Sequence, residues 1–146
     1  MYKRILLGYD GSESGQQALL GSREIAQWSQ AELVLVAVMP FPVAALVPEG
    51  GIYDETMTQE ELVRYQSVLD AGIKRLTDTG LRARGEVIKG DPVYELARAA
   101  ERLQADLIVV GHKHREGWSA RWWRGGSVSK ALIEHAPCSV LVVITG

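Results

Sequence analysis

The chain has 146 residues, with 16 basic and 18 acidic side chains and a net charge of −2. That length suits one domain with a substantial buried core, and the near-even charge balance excludes a general nucleic-acid binder. The lone cysteine, Cys138, excludes an internal disulfide and fits a reducing compartment.

Only Lys3 and Arg4 stand between the first residues and the apolar run Ile5-Leu6-Leu7. No signal-peptide core and no apolar span of about twenty residues follows. A cytoplasmic chain with no membrane segment is therefore expected. Tyr2 to Tyr9 reads as a buried strand, ending at Asp10-Gly11-Ser12. Ser12 or Asp10 is suited to cap the next helix, whose inward stripe is Ala18, Ser22, Ile25, Ala26 and Ser29. A second buried strand runs from Glu32 to Met39 and is stopped by Pro40 and Pro42. From Pro40 to about Thr56 three prolines and a Gly50-Gly51 pair mark an irregular excursion. Leu62, Tyr65, Leu69, Ile73 and Leu76 then recur at helical spacing, with Gly80 just past the end.

Leu81 to Ile88 alternates more, with Arg82, Arg84 and Glu86 on one face, the mark of a strand at a sheet edge. Asp91-Pro92 starts a helix with a cap and a proline at the first helical position, and its stripe is Val93, Leu96, Ala97, Ala100 and Leu103. Asp106 to Gly111 is a β-branched apolar run stopped by glycine, which reads as a strand buried on both faces. A basic, tryptophan-rich loop follows, then Gly125-Gly126-Ser127-Val128, which opens a helix reaching about His135. A last strand runs from Ser139 to Ile144, and Cys138 just before it reads as a small core residue.

Strands with continuous apolar runs alternate here with amphipathic helices, which demands a mainly parallel sheet covered on both faces. No domain boundary, repeat or low-complexity tract interrupts residues 1–146, so one domain is expected. A doubly wound sheet of this kind binds ligands beyond the carboxyl ends of its strands, where the winding reverses. The Gly-Gly-Ser turn offers free N–H groups at the positive end of a helix, a natural seat for phosphate. Lys113, Arg115, Arg121 and Arg124 add positive charge in the same loop. If the first and fourth strands are neighbours, Asp10 faces the same crevice and is placed to accept hydrogen bonds from a ribose.

Five motifs carry a resemblance: Ile5-Leu6-Leu7-Gly8-Tyr9-Asp10-Gly11-Ser12, Gly90-Asp91-Pro92, Ala105 to Gly111, Gly126-Ser127-Val128-Ser129, and His135 to Val143. In this order and spacing the chain resembles the universal stress protein family along essentially its full length. The resemblance implies a five-stranded parallel sheet of order 3-2-1-4-5 with helices on both faces, the adenine nucleotide alpha hydrolase-like fold. It also implies a stress-response homodimer joined through the fifth strands, Ser139 to Ile144, that senses or regulates. In one branch it implies ATP or AMP in the crevice, with Mg2+ accompanying ATP. Tyr9 and Asp10 would then border the ribose, while Val38 and Met39 would offer backbone to the adenine. Gly111, Lys113, His114, Gly125, Gly126, Ser127 and Val128 would surround the phosphates.

ATP-binding members resemble one another in a loop of the form Gly-x2-Gly-x9-Gly-Ser/Thr. Gly111 matches its first glycine and Gly126-Ser127 its closing pair. The middle glycine falls on His114, and residues 115–125 make eleven positions where the pattern has nine. A histidine there adds bulk where backbone should approach phosphate. A nucleotide-free dimeric interaction protein with a remodelled loop is therefore the alternative. His112 and His114 lie two apart, a spacing open to a metal pair, but no further Cys or His is near. His135 falls in the apolar stripe of the last helix and reads as structural. Trp118, Trp122 and Trp123 either cover apolar surface beside the crevice or form a docking surface. No nucleophile stands beside a general base, so at most slow ATP hydrolysis or autophosphorylation is expected.

Overall fold

The structure, a computed structural model, describes residues 1–40, 55–113 and 128–145. In chain order it contains β1 (Arg4–Gly8), α1 (Glu13–Ser29), β2 (Glu32–Met39), α2 (Glu55–Thr77), β3 (Ala83–Lys89), α3 (Pro92–Leu103), β4 (Leu107–Lys113), α4 (Val128–His135) and β5 (Ser139–Thr145). The strands form a parallel five-stranded sheet of order β3-β2-β1-β4-β5.

Alternation along the central strands divides the core in two. Ile5, Leu7, Leu33, Leu35, Leu107 and Val109 point to the face covered by α1 and α2, where Ala18, Leu19, Leu69 and Leu76 meet them. Leu6, Val34, Val36, Val38, Ile108 and Val110 point to the other, packed on Leu96, Ala99, Ala100 and Leu103 of α3 and Leu132 of α4. Strands buried on both faces have no polar side, which is why their sequences read as unbroken apolar runs. Short side chains let α1 sit close: Ala18, Ser22 and Ala26 are fully buried, and the Ser22 hydroxyl donates to the Leu19 carbonyl. No helix among the described residues is long and apolar enough to cross a membrane.

The helix starts follow their capping signals. Ser12 caps α1 by accepting from the Gly15 N–H, and Asp91 caps α3 by accepting from Tyr94 N–H ahead of Pro92. Gln30 and Gln104, each at φ 55°, end α1 and α3 in left-handed geometry that glycine more often supplies. At the amino ends of the strands, Asp106 accepts from the N–H groups of Lys3 and Arg4, tying β1 to the entry of β4.

Four expectations change. β4 does not stop at Gly111 but continues to Lys113, because β5 extends alongside it and Gly111, His112 and Lys113 pair with Val143, Ile144 and Thr145. Leu62, expected inward on α2, is 43% exposed, since the buried stripe of that helix is carried by Leu69 and Leu76. The buried stripe of α1 is wider than expected: Gly15 and Leu19 join Ala18, Ser22 and Ala26, with Ile25 packed against the same core and Ser29 partly buried. His135 is exposed rather than set in the apolar stripe. With Tyr94, Arg98 and Pro137 it lines a groove between α3 and α4, because α4 buries Leu132 instead. Cys138 keeps its expected place, packed against the α3–α4 half of the core, and burial raises its thiol pKa.

Candidate functional site

The sheet order puts β1 between β2 and β4: the chain winds outward from β1 through β2 to β3, then crosses back past β1 to β4 and β5, so the winding reverses beside β1. In doubly wound sheets the ligand crevice lies at such a reversal, beyond the carboxyl ends of the two strands. The register pairs Leu7 with Val109, and two residues further on Tyr9 comes level with Gly111. Asp10 follows directly. Val38 and Met39 close β2 on the other side of β1.

The turn Asp10-Gly11-Ser12 is tightly built. One carboxylate oxygen of Asp10, Oδ1, accepts from the Ser12 N–H at 2.9 Å and from the Ser12 hydroxyl at 2.5 Å. The Ser12 oxygen in turn accepts from the Gly15 N–H at 3.1 Å and lies 3.2 Å from the Ser14 hydroxyl. A serine has one proton, and here the carboxylate takes it, so Ser14 is the donor of the second pair. Gly11 has φ +77° and Val68 of α2 presses on it, with Cγ1 2.6 Å from where a Cβ would stand. A Cβ on Gly15 would come within 2.7 Å of Asp10 Oδ1. Both glycines are therefore needed for the carboxylate to lie against the first turn of α1.

Gly111 is explained from the same side. A Cβ on it would run into the Ser14 carbonyl of α1. Its bare Cα lets the start of α1 lie directly on β4, which brings the Asp10 turn beside the end of that strand. Gly90, at φ +151°, donates its N–H to the Met39 carbonyl at 3.0 Å and fastens the end of β2 to the approach to α3.

The side chains of the other expected contacts lie elsewhere. Tyr9 is 1% exposed; its ring packs on Gly72 of α2 and on the α1–α2 half of the core. Burial raises its pKa, nearby Arg75 works against that, and Asp10 adds to it. Only the backbone of Tyr9 is left for the crevice. Val38 and Met39 are buried too, so they also have backbone alone to offer. Lys113 is the last residue of β4 and Val128 the first of α4, their side chains lying outside the described residues. His114, Gly125, Gly126 and Ser127 lie outside the described residues altogether, as do Trp118, Trp122, Trp123 and the excursion at 41–54. No cluster of three or more metal-ligating side chains occurs among the described residues.

Sequence reading missed the parts played by Ser14, Gly15 and Val68. The signal for the first two was present in Asp10-Gly11-Ser12-Glu13-Ser14-Gly15, where an Asx-type turn runs into a serine cap. Val68 carried none, since its contact joins residues distant in sequence.

Comparison with known proteins adds three likenesses and a family. The model of the universal stress protein family matches residues 1–143. A universal stress protein of Methanocaldococcus jannaschii is 31% identical over 146 residues, which cover 98% of this chain and 82% of that protein. The crystal structure of a universal stress protein family member from Burkholderia pseudomallei superposes with a TM-score of 0.76 at 29% identity, over 97% of this chain and 96% of the other. A universal stress protein solved in complex with cAMP superposes with a TM-score of 0.69 at 25% identity, over 99% and 98% of the two chains.

Proposed function

The chain belongs to the universal stress protein family, and from that premise we propose that it binds an adenine nucleotide, ATP or AMP, in the crevice between the tips of β1 and β4. One observation carries the reading: the strand order sets Asp10 beside β4, at the reversal where a doubly wound sheet takes its ligand. That a family relative has been solved with cAMP supports it.

In this reading Asp10 accepts hydrogen bonds from the ribose. Among the described residues, the bonds to its carboxylate fall on Oδ1, which keeps acceptor capacity on the second oxygen. The backbone at Tyr9 and Gly111 borders the sugar, and the backbone near Val38 and Met39 meets the adenine. The phosphates, with Mg2+ in the case of ATP, sit at the start of α4 among Lys113, His114, Gly125, Gly126, Ser127 and Val128. Residues 1–146 act as one cytoplasmic domain, and two copies join through β5. The dimer senses or regulates according to nucleotide supply, with hydrolysis slow or absent.

His114 in the place of a loop glycine favours a second reading, a nucleotide-free dimeric interaction protein of the same family. Calorimetric titration with ATP separates the two. The wild type is expected to give saturable heat, and Asp10→Ala to bind about tenfold or more weakly, the worth of a hydrogen bond to a charged group. Silence from the wild type at high protein concentration would select the second reading.

A further inference from the structure

Ser12 does more than cap a helix. Its hydroxyl gives its one proton to Asp10 Oδ1 at 2.5 Å, and its backbone N–H donates to the same atom at 2.9 Å. Both of its own lone pairs are engaged, by the Gly15 N–H at 3.1 Å and by Ser14 at 3.2 Å. A hydroxyl that accepts two hydrogen bonds is polarised and donates more strongly. The carboxylate is thus gripped at one oxygen by two donors from one residue. Around it Val68 backs Gly11, the Tyr9 ring lies 3.6 Å from the Cβ position of Gly15, and that position is itself closed to any side chain. An aspartate at the end of a strand would otherwise sample several rotamers.

We propose that Ser12 is a positioning residue for the crevice: by pinning one oxygen of Asp10 it presents the other to the ribose diol and sets the preference for a ribonucleotide over its 2′-deoxy counterpart. This rests on the nucleotide-binding reading above. A carboxylate held in place before the ligand arrives gives the full value of a charge-assisted bond to each sugar hydroxyl, whereas a mobile one loses part of it to ordering.

The test is to measure dissociation constants for ATP and 2′-deoxyATP on the wild type, Ser12→Ala, Ser12→Gly and Ser12→Thr, with thermal unfolding of each. Glycine is tolerated at a helix cap yet has no hydroxyl, so Ser12→Gly covers the case in which Ser12→Ala folds poorly. The wild type is expected to prefer ATP by about tenfold, the worth of one hydrogen bond to a charged acceptor. In Ser12→Ala and Ser12→Gly the preference should fall to about threefold or less, the loss expected when a side chain must be ordered on binding. Ser12→Thr, which keeps the hydroxyl, should restore it. If the Ala and Gly variants weaken both ligands equally and leave the ratio intact, Ser12 is a helix cap only and the proposal falls. A wild type that binds both nucleotides alike also overturns it while leaving nucleotide binding in place. A wild type that binds neither removes the nucleotide reading itself.

Discussion

Glu32 shows how charge acts at the amino ends of the strands, away from the crevice. Its carboxylate receives Arg84 Nε at 2.6 Å and Arg4 Nε at 3.3 Å, which links β3, β2 and β1 across the sheet. The hydrogen bond from Arg84 is the main cause of its lowered pKa; burial opposes it, and the charges of Arg84 and Arg4 assist. A carboxyl more acidic in the folded state than in the unfolded one adds stability that is complete above the ordinary value of 4.5 and is lost as pH falls through the folded value. Arg84 is half exposed, so the effect is modest, about 1 kcal/mol or less. Urea unfolding of wild type and Glu32→Gln from pH 7 to pH 3 should show the wild type ahead at neutral pH and the gap closing below the ordinary carboxylate range. A gap unchanged across that range would mean that the charge of Glu32 contributes nothing. Other single residues differed in how far sequence revealed them. Asp91-Pro92 announced its role through local chemistry alone. Gly111 did not, because what forbids a side chain there is the Ser14 carbonyl, nearly a hundred residues earlier in the chain.

The strands and helices themselves were largely legible, because a strand buried on both faces must be apolar throughout and a helix on a sheet must carry a stripe. Boundaries were less so. Nothing in Val110-Gly111-His112-Lys113 says that the ladder continues, since the partner that extends it is β5, and pairing between strands leaves no trace in either strand alone. β5, by contrast with the buried central strands, is only partly covered. Val140 to Val143 are half-buried, Ile144 is 64% exposed, and β5 ends the sheet next to β4. An apolar strand at an open edge is a liability that a second copy would relieve, which accords with the proposed dimer. Ile144→Lys should therefore shift the protein to monomer in sedimentation velocity while leaving its far-ultraviolet dichroism unchanged. A variant that sediments exactly as the wild type does would place the interface elsewhere.

At the scale of the molecule, the fold and the site were legible to different degrees. The repeated alternation of strand and helix pointed to a parallel sheet, and the resemblance implied the order that the structure displays. The position of the reversal beside β1 follows from the strand order, whereas the packing around Asp10 does not. Asp10 could be named from the end of β1, yet the clamp that holds it arises from three glycines and two serines whose spacing has meaning only once α1 lies on β4. Tyr9, Val38 and Met39 are buried, so in the proposed reading they have only backbone to offer a ligand. The measurement that most directly probes the whole account is native mass spectrometry of the purified protein with ATP added. It should record a dimer carrying two nucleotides, with occupancy that rises and saturates as ATP is increased. A dimer or monomer that stays bare at millimolar ATP would contradict it.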